Sequence, residues 1–328
     1  MNMFARIALA IMVGLTTVAS EVRAQPAPAV SYPSRAIRII VPYPPGGAVD
    51  PVARAIAQRL FALWSQPVIV DNRPGGNTII GTQALTKAAP DGYTILLMAI
   101  AHAIIPNLIP TPYDPIKDFA PVATVGRGEL LLVIHPSVPA KNLRELIALA
   151  KSKPGQLNYA SASTGGPLHL AGELFNMLAG VKTQHVPYKG AGPAMLDLLG
   201  GHVQMMFSSP PESAPNIKSG RLRAIAISGS SRSPVFPQVS TFAEAGMPGF
   251  TAKNWFGILA PVGTPKPIID KLSAELARIL ALPDIREKLL SQGMDPFIST
   301  PDEFGALLKS DLALYGKIIK AANIRLEN

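Results

Sequence analysis

Ile37-Arg38-Ile39-Ile40-Val41 runs straight into Pro42-Tyr43-Pro44-Pro45-Gly46-Gly47-Ala48-Val49-Asp50-Pro51, and this junction decides the fold class. The first five residues form a short β-branched run, which reads as a buried strand. Beyond the glycines, Val52, Ile56, Leu60 and Leu63 recur at helical spacing and predict a helix over 50–64. Asp50 is of a type that caps such a helix, and Pro51 suits its first turn. The unit is therefore strand, glycine turn, helix. It continues with a strand over 68–70, a helix over 78–88 and a strand over 93–98. That alternation predicts a parallel α/β sheet.

A second series follows Pro136. Asn142, with Glu145 three residues on, starts a helix in an approximate capping box. Strands over 157–162, 183–188, 203–207 and 222–228 then alternate with helices over 167–179, 193–199 and 213–218. The tail reads as mostly helical, and Thr300-Pro301-Asp302-Glu303 is a full capping-box start. A helical tail needs a sheet to cover. The expected arrangement is therefore two lobes, each a mainly parallel sheet wrapped by helices, with two hinge crossings and a cleft between them. The expected bounds are residues 35–134 with 252–328 for the first lobe, and 135–251 for the second.

Glycine-rich turns stand where strands open into helices. Besides residues 42–51, these are Ser161-Ala162-Ser163-Thr164-Gly165-Gly166-Pro167 and Tyr188-Lys189-Gly190-Ala191-Gly192-Pro193. A fourth, Arg73-Pro74-Gly75-Gly76-Asn77, precedes the helix near Thr78. Glycine and proline punctuate most such turns without binding anything. Three drawn from both lobes favour a further use: helix N-termini carry free N–H groups and about half a positive charge, so they suit an anion. No G-x-x-x-x-G-K-[ST] or G-x-G-x-x-G occurs, which favours a small carboxylate over a nucleotide.

The sequence offers little for catalysis. G-x-S-x-G and H-E-x-x-H are absent, and the five histidines are scattered. Only His169 is near a glycine turn. Asp50 reads as a helix cap before a general base, and Lys189 as either a point charge for an anion or a solvated loop residue. No metal cluster or acid–base pair can be assembled from spacing, so binding without chemistry, without a cofactor, is expected.

The chain has 328 residues, a net charge of +9, no cysteine and 33 prolines. Absence of cysteine excludes disulfides, thiolate-held metals, a thiol nucleophile and a lipid anchor on cysteine. Arg6, the apolar run over 7–18 and Val22-Arg23-Ala24 read as a signal peptide over 1–24, followed by a flexible stub over 25–34. An apolar run of 12 residues is too short to span a bilayer core, which needs about 20. The basic residues are scattered singly, without a run or interleaved aromatics, so nucleic acid is not an expected partner.

At these residues the sequence resembles the Bug-type extracytoplasmic solute receptors, the substrate-binding component of tripartite tricarboxylate transporters. The likeness spans nearly the whole chain after residue 24. It includes Tyr32-Pro33, the loop to Asp50, Asp71-Asn72-Arg73-Pro74-Gly75-Gly76, and Ala89-Pro90-Asp91-Gly92-Tyr93-Thr94. Tyr159-Ala160-Ser161, His185-Val186-Pro187-Tyr188-Lys189-Gly190, Gly220-Arg221-Leu222-Arg223-Ala224 and Trp255-Phe256-Gly257 continue it.

The resemblance implies a monomeric periplasmic binding protein, type II-like, whose two lobes close on a small organic carboxylate. It would hand that ligand to a membrane permease, or report it to a sensor protein. A secreted α/β enzyme is the remaining alternative. Carried onto this chain, the first-lobe site is Tyr43, Pro45, Gly46, Gly47, Ala48 and Asp50, with Asn77 beside it. The second-lobe site is Ser161, Ser163, Thr164, Gly165, Gly166, Lys189, Gly190 and Ala191. Two departures bear on the ligand. Glycine and hydroxyl residue are exchanged between Ser163 and Gly166 relative to the family's usual loop, and Ser208-Ser209-Pro210-Pro211 stands where many relatives have an acidic residue. The second departure disfavours an amino acid.

Overall fold

β1 (Ile37–Val41) forms where the β-branched run predicts it, with every residue but Arg38 buried. α1 (Val49–Trp64) follows and buries Val52, Ile56 and Leu60; the expected fourth member of that face, Leu63, is exposed. β2 (Val68–Asn72) and β3 (Thr94–Ala99) flank β1, both parallel to it, with α2 (Ile79–Thr86) between them in sequence. This computed structural model describes residues 32–326, so the expected signal peptide and most of the stub lie outside the described residues.

After β3 the chain forms α3 (Ala101–Ile104), a 3-10 turn (Ile105–Asn107) and β4 (Phe119–Glu129). It then builds β5 (Leu131–Ile134), α4 (Leu143–Ser152), β6 (Asn158–Ser161), α5 (Pro167–Ala179) and β7 (Gln184–Pro187). Next come α6 (Ala191–Leu199), β8 (Met205–Ser208), α7 (Pro210–Lys218) and β9 (Arg223–Ile227). β10 (Lys253–Pro261), α8 (Lys266–Leu280), α9 (Pro283–Ser291), β11 (Asp295–Pro296) and α10 (Pro301–Ala321) complete the described chain. The strands make two sheets, in the orders β11-β4-β10-β3-β1-β2 and β7-β6-β8-β5-β9.

The α/β class read from the sequence holds, but each sheet is mixed. β1, β2 and β3 are parallel, as are β6, β7 and β8, whereas β10 runs antiparallel to β3 and β4, and β5 antiparallel to β8 and β9. The antiparallel members are the strands the sequence hides. Pro121, Gly126 and Gly128 interrupt β4, and β10 carries Gly257 where a side chain would collide with the Phe304 ring. α7 likewise begins at Pro210, not at 213, because Pro210 and Pro211 fill first-turn positions that have no intrahelical N–H bond to lose.

Alternation along the strands packs the second sheet on both faces. Leu132, Ile134, Tyr159, Met205 and Phe207 join one core with Ile40, Met98, Trp255 and Phe304 of the first-sheet half. Leu131, Val133, Ala160 and Met206 face a second cluster with Ala194 and Leu198. The chain passes between sheets at Leu130 and again between Ile227 and Lys253, so Leu131–Ile134 belongs to the second sheet and not the first. The two passages lie side by side: Leu130 N–H donates to Ser228 Oγ at 2.8 Å, and Ser228 N–H to Leu130 O at 2.9 Å. Both capping boxes form around their helices, Thr300 with Glu303 reciprocally and Asn142 accepting from Glu145 N–H.

Candidate functional site

Parallel pairing gathers the glycine turns at the carboxyl ends of the strands, where ligands of open α/β sheets bind. In the first sheet the turn after β1 is tied down by Asp50. Asp50 as a residue is 4% exposed, and its carboxylate accepts from Gly46 N–H at 3.0 Å, Arg54 Nε at 3.1 Å and Asn72 Nδ2 at 3.0 Å. Asn72 Nδ2 also reaches Tyr43 O at 3.2 Å. Asp50 is therefore not the helix cap expected of it. Ala48 occupies the cap position without a side-chain bond, and Asp50 reaches back to the turn. Burial alone would raise the Asp50 carboxyl, but the bonds from Arg54, Gly46 and Asn72 outweigh it and hold it below its usual range.

Tyr43 packs against the shared core. Its hydroxyl accepts from Ala99 N–H at 3.3 Å at the end of β3, and burial pushes its pKa up. Asn77 sits in the neighbouring turn with φ +53°, and Thr78 follows at φ +76° with a buried Oγ1 that finds no partner among the described residues.

In the second sheet the turns after β6 and β7 are joined: Gly190 N–H donates to Ala162 O at 2.9 Å, and Tyr188 N–H to Ser161 O at 2.9 Å. Ser161 Oγ is fully buried and lies 2.9 Å from Ser163 O and 2.6 Å from His185 Nε2. Gly165 N–H donates to His169 Nδ1 at 2.9 Å. The Ser163 Oγ lies over Gly166, at 2.5 Å from where a Cβ would stand. A Cβ on Gly165 would meet Leu108 at 2.8 Å and Leu326 at 3.1 Å, so this turn abuts the segment that leaves β3. Tyr43 and Gly165 thus stand at opposite ends of one short stretch, Ala99 to Leu108. No hydrogen bond links the two sets of predicted site residues among the described residues.

One rule covers all three turns. Gly46, Gly165 and Gly190 adopt φ of +80°, +71° and +110°, and each turns its N–H onto an acceptor of the protein itself. These three amides, expected to face a ligand, are already used. Six amides close by are not: those of Ala48 and Val49, of Thr164 and Gly166, and of Ala191 and Gly192 donate to no acceptor among the described residues, although Gly47 N–H donates to Pro44 O at 3.3 Å. Three helix N-termini consequently present unpaired donors at the strand ends. Sequence reasoning missed Arg54, Asn72, His169 and His185 as supports of these turns. The Asn72 motif was visible; the histidine pairing depends on strand register and was not.

A family model described as the tripartite tricarboxylate transporter family receptor matches residues 52–324. The chain belongs to that family. Its members are solute receptors and not enzymes. Protein BugT of Bordetella pertussis is 39% identical over 310 residues, covering 93% of this chain and 94% of that protein. Among solved structures, Rpa4515 of R. palustris with adipate is 33% identical, covers 90% of this chain and 99% of that one, and superposes with a TM-score of 0.72. MatC from Rhodopseudomonas palustris with bound malate is 32% identical, covering 88% and 100%, with a TM-score of 0.69. The family resemblance read from the motifs is borne out, and with it the receptor class.

Proposed function

We propose that this chain is a periplasmic receptor that captures a small organic carboxylate between the strand-end turns of its two sheets and delivers it to a tripartite tricarboxylate-type permease. The observation that carries the reading is the set of unpaired amides at the starts of α1, α5 and α6. A carboxylate there would accept several N–H bonds at once, and hydrogen bonds to a charged acceptor are about twice as strong as neutral ones. The lobes would be the two halves joined at Leu130 and Ser228, with the paired passages as the hinge. The malate- and adipate-bound relatives support a dicarboxylate as the ligand class. Lys189, exposed on the third turn, adds a point charge at the rim.

The test is a thermal-shift panel of dicarboxylates, monocarboxylates, amino acids and neutral sugars. A dicarboxylate at about 100 times its Kd adds about 2.7 kcal/mol of stability and raises Tm by several degrees. Stabilisation by sugars or amino acids but by no dicarboxylate refutes the reading.

A further inference from the structure

Behind the Ser161–Gly166 turn lies a partly buried cluster that the binding reading leaves without a role. His169, in the first turn of α5, and His185, in β7, stack with ring centroids 3.6 Å apart and planes 7° from parallel. Parallel register sets Tyr159 opposite His185, with ring centroids 5.1 Å apart. The Tyr159 hydroxyl donates to Glu173 Oε1, whose nearest approach to His169 Nε2 is 3.9 Å, beyond hydrogen-bond length. β8, packed on α5, brings only Met205, Met206, Phe207 and Ser208; α10 and the residue after it bring Ile318, Ala321 and Ala322 beside Glu173. Tyr159 and Glu173 are thus the titratable groups facing the pair among the described residues.

The proton positions follow from the donors. Gly165 N–H donates to His169 Nδ1, so that nitrogen must keep its lone pair and the ring proton sits on Nε2. Ser161 has one hydroxyl proton and two close partners. Both contacts are satisfied when the hydroxyl donates to Ser163 O and His185 Nε2–H donates to Ser161 Oγ. A Ser161 spending its proton on a carbonyl is not an activated nucleophile, so the pair is no catalytic dyad. A neutral His169 accepting at Nδ1 and a His185 donating from Nε2 thereby fix the turn at both ends. On its other side Gly165 is closed in by Leu108 and Leu326.

We propose that His169 and His185 are positioning residues of the ligand site: as a neutral stacked pair they hold the Ser161–Gly166 turn so that its remaining amides stay aimed at the ligand, and they insulate that geometry from acidification. The role in binding rests on the carboxylate reading; the role in holding the turn does not. Burial first, and then the His185 ring beside it, pull His169 down to about 3; burial pulls His185 down to about 4. An ordinary histidine would be mostly charged at pH 5.5, whereas this pair stays neutral.

The test uses the wild type, His169→Asn and His169→Leu, with malate and adipate as probes. Asparagine places an oxygen near the imidazole Nδ1 position and still accepts from Gly165; leucine fills the space without an acceptor. Expected results are wild-type affinity within about threefold for the asparagine variant and at least a tenfold loss for leucine. In the free protein, nitrogen NMR should show His169 Nδ1 unprotonated from pH 7 to pH 5.5, and the Gly165 amide protected from exchange in wild type and asparagine but not in leucine. A His169 that titrates near pH 6.5, or a leucine variant with wild-type Gly165 protection, overturns the positioning role even if a dicarboxylate binds. Gly165 protection that follows the substitutions while neither acid binds supports the positioning role and removes the dicarboxylate reading.

Discussion

The first-sheet turn is held by a charge and the second-sheet turn by its absence. Asp50 works ionised, with Arg54, Asn72 and Gly46 around it, and the Arg54 side chain is 55% exposed. His169, buried, and His185, half-buried, work neutral with their rings stacked. Both devices do the same thing to a left-handed glycine, turning its N–H inward while amides at the adjoining helix start stay free. The contrast teaches that a helix-start site needs an internal acceptor as much as it needs glycine. It also separates the two turns in pH and in salt.

The largest effect is expected of Asp50→Ala. It removes the acceptor of three hydrogen bonds and strands the Gly46 N–H, so urea denaturation should show a loss of about 3 kcal/mol. A loss below about 1 kcal/mol, the level of an exposed ion pair, would mean the first turn is not held this way.

The pH profile comes next. His102, His169 and His185 are held neutral in the fold, near 4, about 3 and about 4, each chiefly by burial. An unfolded histidine takes up its proton near pH 6.5, so between there and pH 4 the unfolded state binds more protons and stability falls as pH falls. Asp50 has the depressed carboxyl pKa, so its contribution persists above the unfolded value near 3.9 and is lost only below it. Thermal melts should therefore decline in two stages, histidines first, with His169→Asn shrinking the upper stage. A flat profile from pH 6.5 to 4 would contradict the buried neutral pair.

At the site itself, Gly47→Val should lower ligand affinity at least tenfold with little change in Tm. Gly47 has no left-handed φ, and a Cβ there meets nothing nearer than Pro44 O at 3.4 Å. The same swap at Gly165 would be a poor probe, because its φ is +71° and Leu108 and Leu326 stand in the way. The smallest effect belongs to Lys189→Ala. A lone exposed cation should contribute a roughly twofold to fivefold change in affinity that vanishes in high salt; a salt-independent loss would assign Lys189 a direct contact.

Much of this was legible in the chain. β1, α1 and the glycine turns follow from β-branched runs, 3.6-residue spacing and turn residues, all local signals. β4 and β10 were not legible, because Gly126, Gly128 and Gly257 serve close packing against side chains distant in sequence, Phe304 among them. Asp50 misled for a related reason: its residue type favours capping, yet its carboxylate reaches back four residues to Gly46. His169 and His185 stand 16 positions apart and meet only because β6 and β7 pair in the register Tyr159 to His185. No local pattern encodes that register.

Where a carboxylate sits decides whether these helix starts form the binding site. The deciding measurement is the crystal structure of the complex with whichever dicarboxylate most raises Tm. We expect its carboxylate oxygens within hydrogen-bond reach, directly or through one water, of the Ala48 or Val49 amide on one side. On the other they should meet the Thr164, Gly166 or Ala191 amide. A ligand held away from these helix starts, with the same amides facing bulk solvent, would contradict it.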